Sequence, residues 1–212
     1  MPAEPIRPLK DVWLRPRRVF RELASQPVGR VDYLLAAAQG MAGCLALFRT
    51  INAGASESIA QILGKAALFG PIMGVASLFL FAEIYTRLGR RVGNSAPRDL
   101  VVHVLAYGGV PIAVSLGVWV LIALVAGEPT FVQVPHPEVE GFLALLFNAQ
   151  YAANALLMVW SVVLQVMGFS EIQGLLTRKA LGIWLLGQLI GLLVALAFLV
   201  LIALLFPIAG PA

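Results

Sequence analysis

The sequence predicts an all-α membrane protein, a bundle of five transmembrane helices behind a short interfacial amphipathic helix. Three observations carry that reading. Five stretches, about 31–50, 66–86, 101–126, 145–167 and 180–206, are apolar and close to the ~20 residues that a helix needs to cross the hydrocarbon core. The composition is 60% hydrophobic with a mean hydropathy of +0.89, where soluble domains hold roughly 45–50% apolar residues. The basic residues fall in alternate connections between the runs.

The chain divides into a segment 1–30, a membrane domain 31–206 and a short tail 207–212. In the first segment, Pro16 suits the first turn of a helix that should run to about Ser25, before Pro27 stops it. Val19, Phe20 and Leu23 share one face of that helix and most of its arginines the other. Such a helix lies in the interface, with Trp13 at headgroup depth and Arg15, Arg17, Arg18 and Arg21 near anionic phosphates. It serves as a topology anchor or as a docking surface for a partner. No cleavage site follows the first apolar run, so the segment is expected to stay on the chain.

Orientation follows from charge. Arg7, Lys10, Arg15, Arg17, Arg18, Arg21 and Arg30 precede the first run, Arg87, Arg90, Arg91 and Arg98 separate the second from the third, and Arg178 and Lys179 separate the fourth from the fifth. The remaining connections carry only Arg49 and Lys65, and the third-to-fourth connection holds Glu128, Glu138 and Glu140. The positive-inside rule puts the N-terminus in the cytoplasm and the C-terminus on the opposite side. A bacterial inner membrane fits the short N-terminal segment and the Ala, Leu, Val and Gly content. The net charge of +4 belongs to membrane orientation and lipid headgroups, and nucleic acid is not expected as a partner.

Inside the spans, small residues recur at four-residue spacing: Ala36, Gly40 and Cys44, then Gly70 and Gly74, then Gly187 and Gly191. They predict close helix approach, within one chain or between copies. Pro71 and Pro111 should kink or break the second and third spans, leaving carbonyls that neighbours must satisfy. Gln39, Asn148, Gln150, Asn154, Gln165 and Gln188 are intramembrane amides, expected chiefly to bridge helices, with Asn154 near mid-span a candidate for more. Glu83 and Arg87 stand one helical turn apart and can pair, structurally or as a proton or cation site. His103 opens the third span, as a packing residue, a cross-helix hydrogen bonder or a pH-responsive group. The only other acid touching a span, Asp32 at the edge of the first, looks too little for a relay. Residues 127–141, with three prolines and three glutamates, should form an extended, non-helical excursion.

No phosphate loop, nucleophile elbow or zinc spacing appears, and the single Cys44 has no partner, so no enzyme and no cofactor or metal is expected. The run Trp13–Phe20, Phe69-Gly70-Pro71 read as a turn, the Ala106-Tyr107-Gly108-Gly109-Val110-Pro111 stretch and the segment 168–174 resemble, in that order, the Yip-domain family. That family is named for eukaryotic members that interact with Ypt/Rab GTPases. The resemblance runs from about 10 to 206 and is closest to the short bacterial-type members, which lack the long N-terminal region. It implies a polytopic membrane protein with no established enzymatic activity, acting in membrane organisation or as an accessory to larger complexes. It marks Phe69, Gly70, Pro71, Tyr107, Gly108 and Pro111 as signature positions that shape kinks and contacts. Two function classes follow: a non-enzymatic scaffold contacting anionic lipids, other membrane proteins or its own copies, and a small transporter or channel with Glu83, His103 and Asn154 along a polar path.

Overall fold

A computed structural model describes residues 6–92, 96–133 and 141–205, and within them all regular structure is helical. A one-turn helix α1 (Pro8–Asp11) leads to α2 (Pro16–Leu23), which Pro16 opens because its missing N–H would have had no partner there. The long helices are α3 (Arg30–Thr50), α4 (Ile59–Arg91), α5 (Arg98–Gly108), α6 (Val110–Ala126), α7 (Phe142–Ile172) and α8 (Thr177–Leu205). Helices α5 and α6 are two halves of one span, so five helices are long and apolar enough to cross a membrane. Residues 134–140 of the 127–141 connection, including Pro135, Pro137, Glu138 and Glu140, and the chain from residue 206 onward lie outside the described residues.

Capping explains where two helices start. At α3, the Asp32 carboxylate accepts the Gly29 N–H at 2.9 Å, satisfying an otherwise orphan donor. At α4, Ser58 Oγ accepts from Gln61 N–H at 3.4 Å and Gln61 Oε1 accepts from Ser58 N–H at 3.0 Å. That reciprocal box starts α4 at Ile59, well before its apolar stretch begins. The turn from α7 to α8 uses Gly174 at φ +59°, a left-handed conformation that glycine adopts without penalty, while Leu175 N–H returns to the Ser170 carbonyl at 3.0 Å.

The two prolines behave differently. Phe69, Gly70 and Pro71 lie within α4, which passes through them unbroken, so they form no turn. One lost hydrogen bond in so long a helix is tolerated where neighbouring helices pack tightly. At Gly109 the third span does break into α5 and α6, with Pro111 in the first turn of α6. The freed carbonyls are taken up by neighbours: Gln39 Nε2 donates to Ala106 O at 3.0 Å and Ser161 Oγ donates to Gly108 O at 2.9 Å.

Helices α3 and α4 make the most extensive pair. Gly40, Gly70 and Gly74 let their backbones touch, since a Cβ on Gly40 would stand 2.6 Å from Gly74 Cα and one on Gly70 2.5 Å from Met41 Cα. Gly187 and Gly191 on α8 accept the rings of Tyr85 and Phe81 from α4. These glycine contacts are therefore made within the chain. Two apolar cores result. One gathers Phe20, Leu23, Tyr85, Val101, Leu164 and Phe169, and the other gathers Leu45, Ile62, Trp119 and Phe131 at the opposite end. The outward faces of α4, α7 and α8 expose Leu68, Ile72, Leu156, Val159, Leu185 and Leu192, a surface that suits a lipid solvent.

The connection after α6 is less extended than its prolines suggest. Glu128–Phe131 form a 3₁₀ turn with Thr130 and Phe131 fully buried, because the Phe131 ring stacks on Trp119 at 6.1 Å.

Candidate functional site

Because the helices alternate in direction, the α2 end of the bundle collects Arg30, Arg90, Arg91, Arg178 and Lys179 beside the arginines of α2. Helix α2 ends at Leu23, and its apolar face turns inward: Val19, Phe20 and Leu23 are buried against α5 and α7. Gly168 on α7 makes room for Phe20, whose ring would lie 3.0 Å from a Cβ at that position. The face that the sequence offered to lipid is thus occupied by protein, and Trp13, half-buried, packs on the same core. Polar clasps finish the attachment. Arg21 pairs with Glu171 at 2.7 Å and Arg17 donates to Thr177 Oγ1 at 3.3 Å, while Arg18 pairs with Glu22 at 2.7 Å within α2 itself. Arg15, Arg17 and Arg21 remain exposed.

The same end contains a buried polar lock. His103 Nδ1 and Asp32 Oδ1 are 2.7 Å apart, with both side chains 3% exposed. His103 Nε2 faces the Gln26 carbonyl at 3.1 Å. A carboxylate and a carbonyl only accept, so the ring satisfies both neighbours when it carries both protons. The lock ties α3 to α5 and holds the segment between α2 and α3. The pairing is not legible in the sequence because its members are 71 positions apart on different helices. The capping position of Asp32, three residues after Gly29, was the available signal that its side chain turns inward.

Glu83 and Arg87 meet as their spacing predicts, at 2.6 Å, and Arg98 approaches the other Glu83 oxygen at 4.0 Å. The pair sits on the outside of the bundle, with side chains 43% and 72% exposed. Asn154 is half-buried on α7, with Oδ1 buried and unpaired. Asn148 is exposed.

Among the signature positions, Gly70 is the contact with α3, while Phe69 points outward and Pro71 lies within α4. Tyr107 is buried beside His103, with ring centres 6.3 Å apart. Gly108 admits α7, since its Cβ would stand 2.6 Å from Gln165 Cγ.

Between these features lies a cavity of about 420 Å³, lined by Gln39, Gln165 and Gln188 with Ser77, Cys44, Gly40 and Gly74 among apolar side chains. Exposed Leu47 and Met73 also line it, so it opens sideways. A chain of hydrogen bonds runs beside it: Gln188 Nε2 donates to Tyr85 Oη at 3.2 Å, Tyr85 to the Trp184 carbonyl at 3.1 Å, Trp184 Nε1 to Gln165 Oε1 at 2.8 Å, and Gln165 Nε2 to Ser161 Oγ at 3.4 Å. Three of these bonds cross between helices, joining α8 to α4 and to α7 at about 0.6–2 kcal/mol each, and the fourth lies within α7. Glu83, His103 and Asn154 are not among the residues lining this cavity.

At the far end, Arg49 is buried among Tyr151, Phe147 and Trp119. Glu128, just beyond α6, accepts the Ile59 N–H at 3.2 Å, and bonds from its own backbone and from Ile59 hold its carboxyl below the usual range.

Compared with known proteins, the chain matches the family model described as the Yip1 domain over residues 10–200. The chain belongs to the Yip1 domain family. No curated protein matches it. No solved structure matches it. Yip1 domain proteins are not known as enzymes, and the five apolar helices make this member an integral membrane protein. The matched region begins before α2, so the docked arginine helix lies within the Yip1 domain.

Proposed function

We propose that this Yip1 domain protein is a non-enzymatic scaffold or accessory subunit in a bacterial inner membrane, with the α2 end in the cytoplasm. The single observation supporting it is the docking of α2. With Val19, Phe20 and Leu23 buried against α5 and α7, the helix offers its partners a fixed row of exposed Arg15, Arg17 and Arg21. A rigid basic row at a membrane surface suits anionic headgroups and the acidic face of a membrane-protein partner. This row, with exposed Arg90, Arg91, Arg178 and Lys179 around it, serves as the polar recognition surface.

A photo-crosslinking amino acid at Arg17 or Arg21, activated in native membranes, tests the reading. The expected result is a discrete adduct with one membrane protein, absent when the crosslinker replaces exposed Lys65 at the other end. Adducts with lipid only, from both ends alike, would remove the support for a scaffold. The transporter alternative draws nothing from the separate positions of Glu83, His103 and Asn154.

A further inference from the structure

Arg49 has a setting that packing alone does not explain. It is 5% exposed near the end of α3 that is remote from α2. Its guanidinium carbon lies 4.0 Å from the ring centre of Tyr151, 5.7 Å from Phe147 and 6.0 Å from Trp119. Ring faces attract a cation but give its N–H groups nothing to donate to. The acceptor present is Gln150 Oε1, 3.3 Å from Nη1, on a side chain that is itself fully buried. Arg49 Nε and Gln150 Nε2 are buried donors without partners, and Asn154 Oδ1, one turn further along α7, is a buried acceptor without one.

Among the described residues no carboxylate pairs with Arg49. Glu57 Oε1 pairs with Lys65 at 2.6 Å while its Oε2 is buried without a partner, and Glu128 accepts the Ile59 N–H. A guanidinium taken out of water without a counter-ion is strongly unfavourable, and one amide oxygen with three ring faces offsets only part of that. The charge balance and the two spare donors call for an anion. A guanidinium matches the oxygens of a phosphate in its own plane.

We propose that Arg49 and Gln150 hold the phosphate group of an anionic ligand at this end of the bundle, with Asn154 accepting from a neighbouring hydroxyl. That chemistry is shared by an anionic phospholipid headgroup and by inorganic phosphate. The site lies at the opposite end from the arginine row of α2, so it stands or falls apart from the scaffold reading.

The test uses the full chain in detergent micelles, titrated with phosphatidylglycerol, phosphatidylcholine or inorganic phosphate and followed by native mass spectrometry and thermal unfolding. Arg49→Met keeps the volume and removes the charge. Gln150→Glu places a counter-ion where Oε1 already stands, so it should raise the unfolding temperature while abolishing the need for an external anion. Both variants keep every arginine of the α2 end. We expect phosphatidylglycerol, and not phosphatidylcholine, to bind the wild type about tenfold or more tightly than either variant, the scale of a charge-assisted contact. Competition by inorganic phosphate would identify the phosphate alone as the ligand, and its failure to compete would identify the lipid headgroup. Equal phosphatidylglycerol and phosphate binding by wild type and Gln150→Glu would overturn the proposal, even if Arg49→Met failed to fold.

Discussion

Removing one member of the Asp32–His103 pair should be the most damaging polar substitution at the α2 end. Each side chain is 3% exposed, so Asp32→Ala leaves His103 without its carboxylate, and His103→Ala leaves a buried carboxylate with only the Gly29 N–H. Breaking a buried pair from one side costs about 3–5 kcal/mol. Asp32→Ala also deletes the cap of α3, worth about 1 kcal/mol, and should therefore exceed His103→Ala by roughly that amount. Asp32→Asn retains an acceptor for Gly29 and should be milder than Asp32→Ala by the same margin. In the double variant neither group is left stranded, so the cycle should return a coupling of about 2–3 kcal/mol. The assay is SDS-induced unfolding from mild-detergent micelles, followed by fluorescence of Trp13 and Trp184, which pack on the core holding the pair. A double variant whose cost equals the sum of the singles within about 0.5 kcal/mol would refute the lock.

Three further outcomes are expected from the same assay. Gly74→Ala would drive its Cβ into the Ala36 carbonyl and to 3.0 Å from Gly40 Cα, backbone atoms that cannot turn aside, and should cost about 1–3 kcal/mol or more. Gly64→Ala on the same helix, with nothing within 4 Å, should instead stabilise by about 0.4–1 kcal/mol, and equal effects at the two sites would contradict the crossing. Glu128 has a depressed carboxyl pKa in the folded protein, so its contribution is present above the ordinary carboxylate value of about 4.3 and is lost as pH falls through the lower folded value. Glu128→Gln should flatten that acid limb of the stability curve, and an unchanged limb would show that the Ile59 contact is not made.

Hydropathy alone made the spans legible, because each helix needs an apolar surface wherever lipid is its solvent. The helices themselves run further than the apolar stretches. Helix α4 starts at Ile59 through the Ser58–Gln61 box, a signal readable in the sequence but invisible to a search for apolar runs. The stripe Val19, Phe20 and Leu23 was equally plain, yet it does not say what it lies against. The answer is Gly168, nearly 150 positions away, whose missing side chain accepts Phe20. The Glu83–Arg87 pair was found because both members lie on one helix. Asp32 with His103, and Arg49 with Gln150, were not, because each pair joins different helices and a single sequence records no such partnership.

The break at Gly109 shows where more could have been read. Pro71 and Pro111 are equivalent by residue type, yet only the second interrupts its span. The stretch Tyr107-Gly108-Gly109-Val110-Pro111 places two glycines before the proline, lowering helix propensity at the point where a donor is also missing. Interruption further requires partners for the freed carbonyls, and Gln39 and Ser161 supply them. Among the described residues no side chain hydrogen-bonds to the backbone at Pro71, where Gly70 and Gly74 instead press α4 against α3. A proline in a membrane helix thus becomes a break when neighbouring helices bring polar groups to it, and stays within the helix when they bring only close packing.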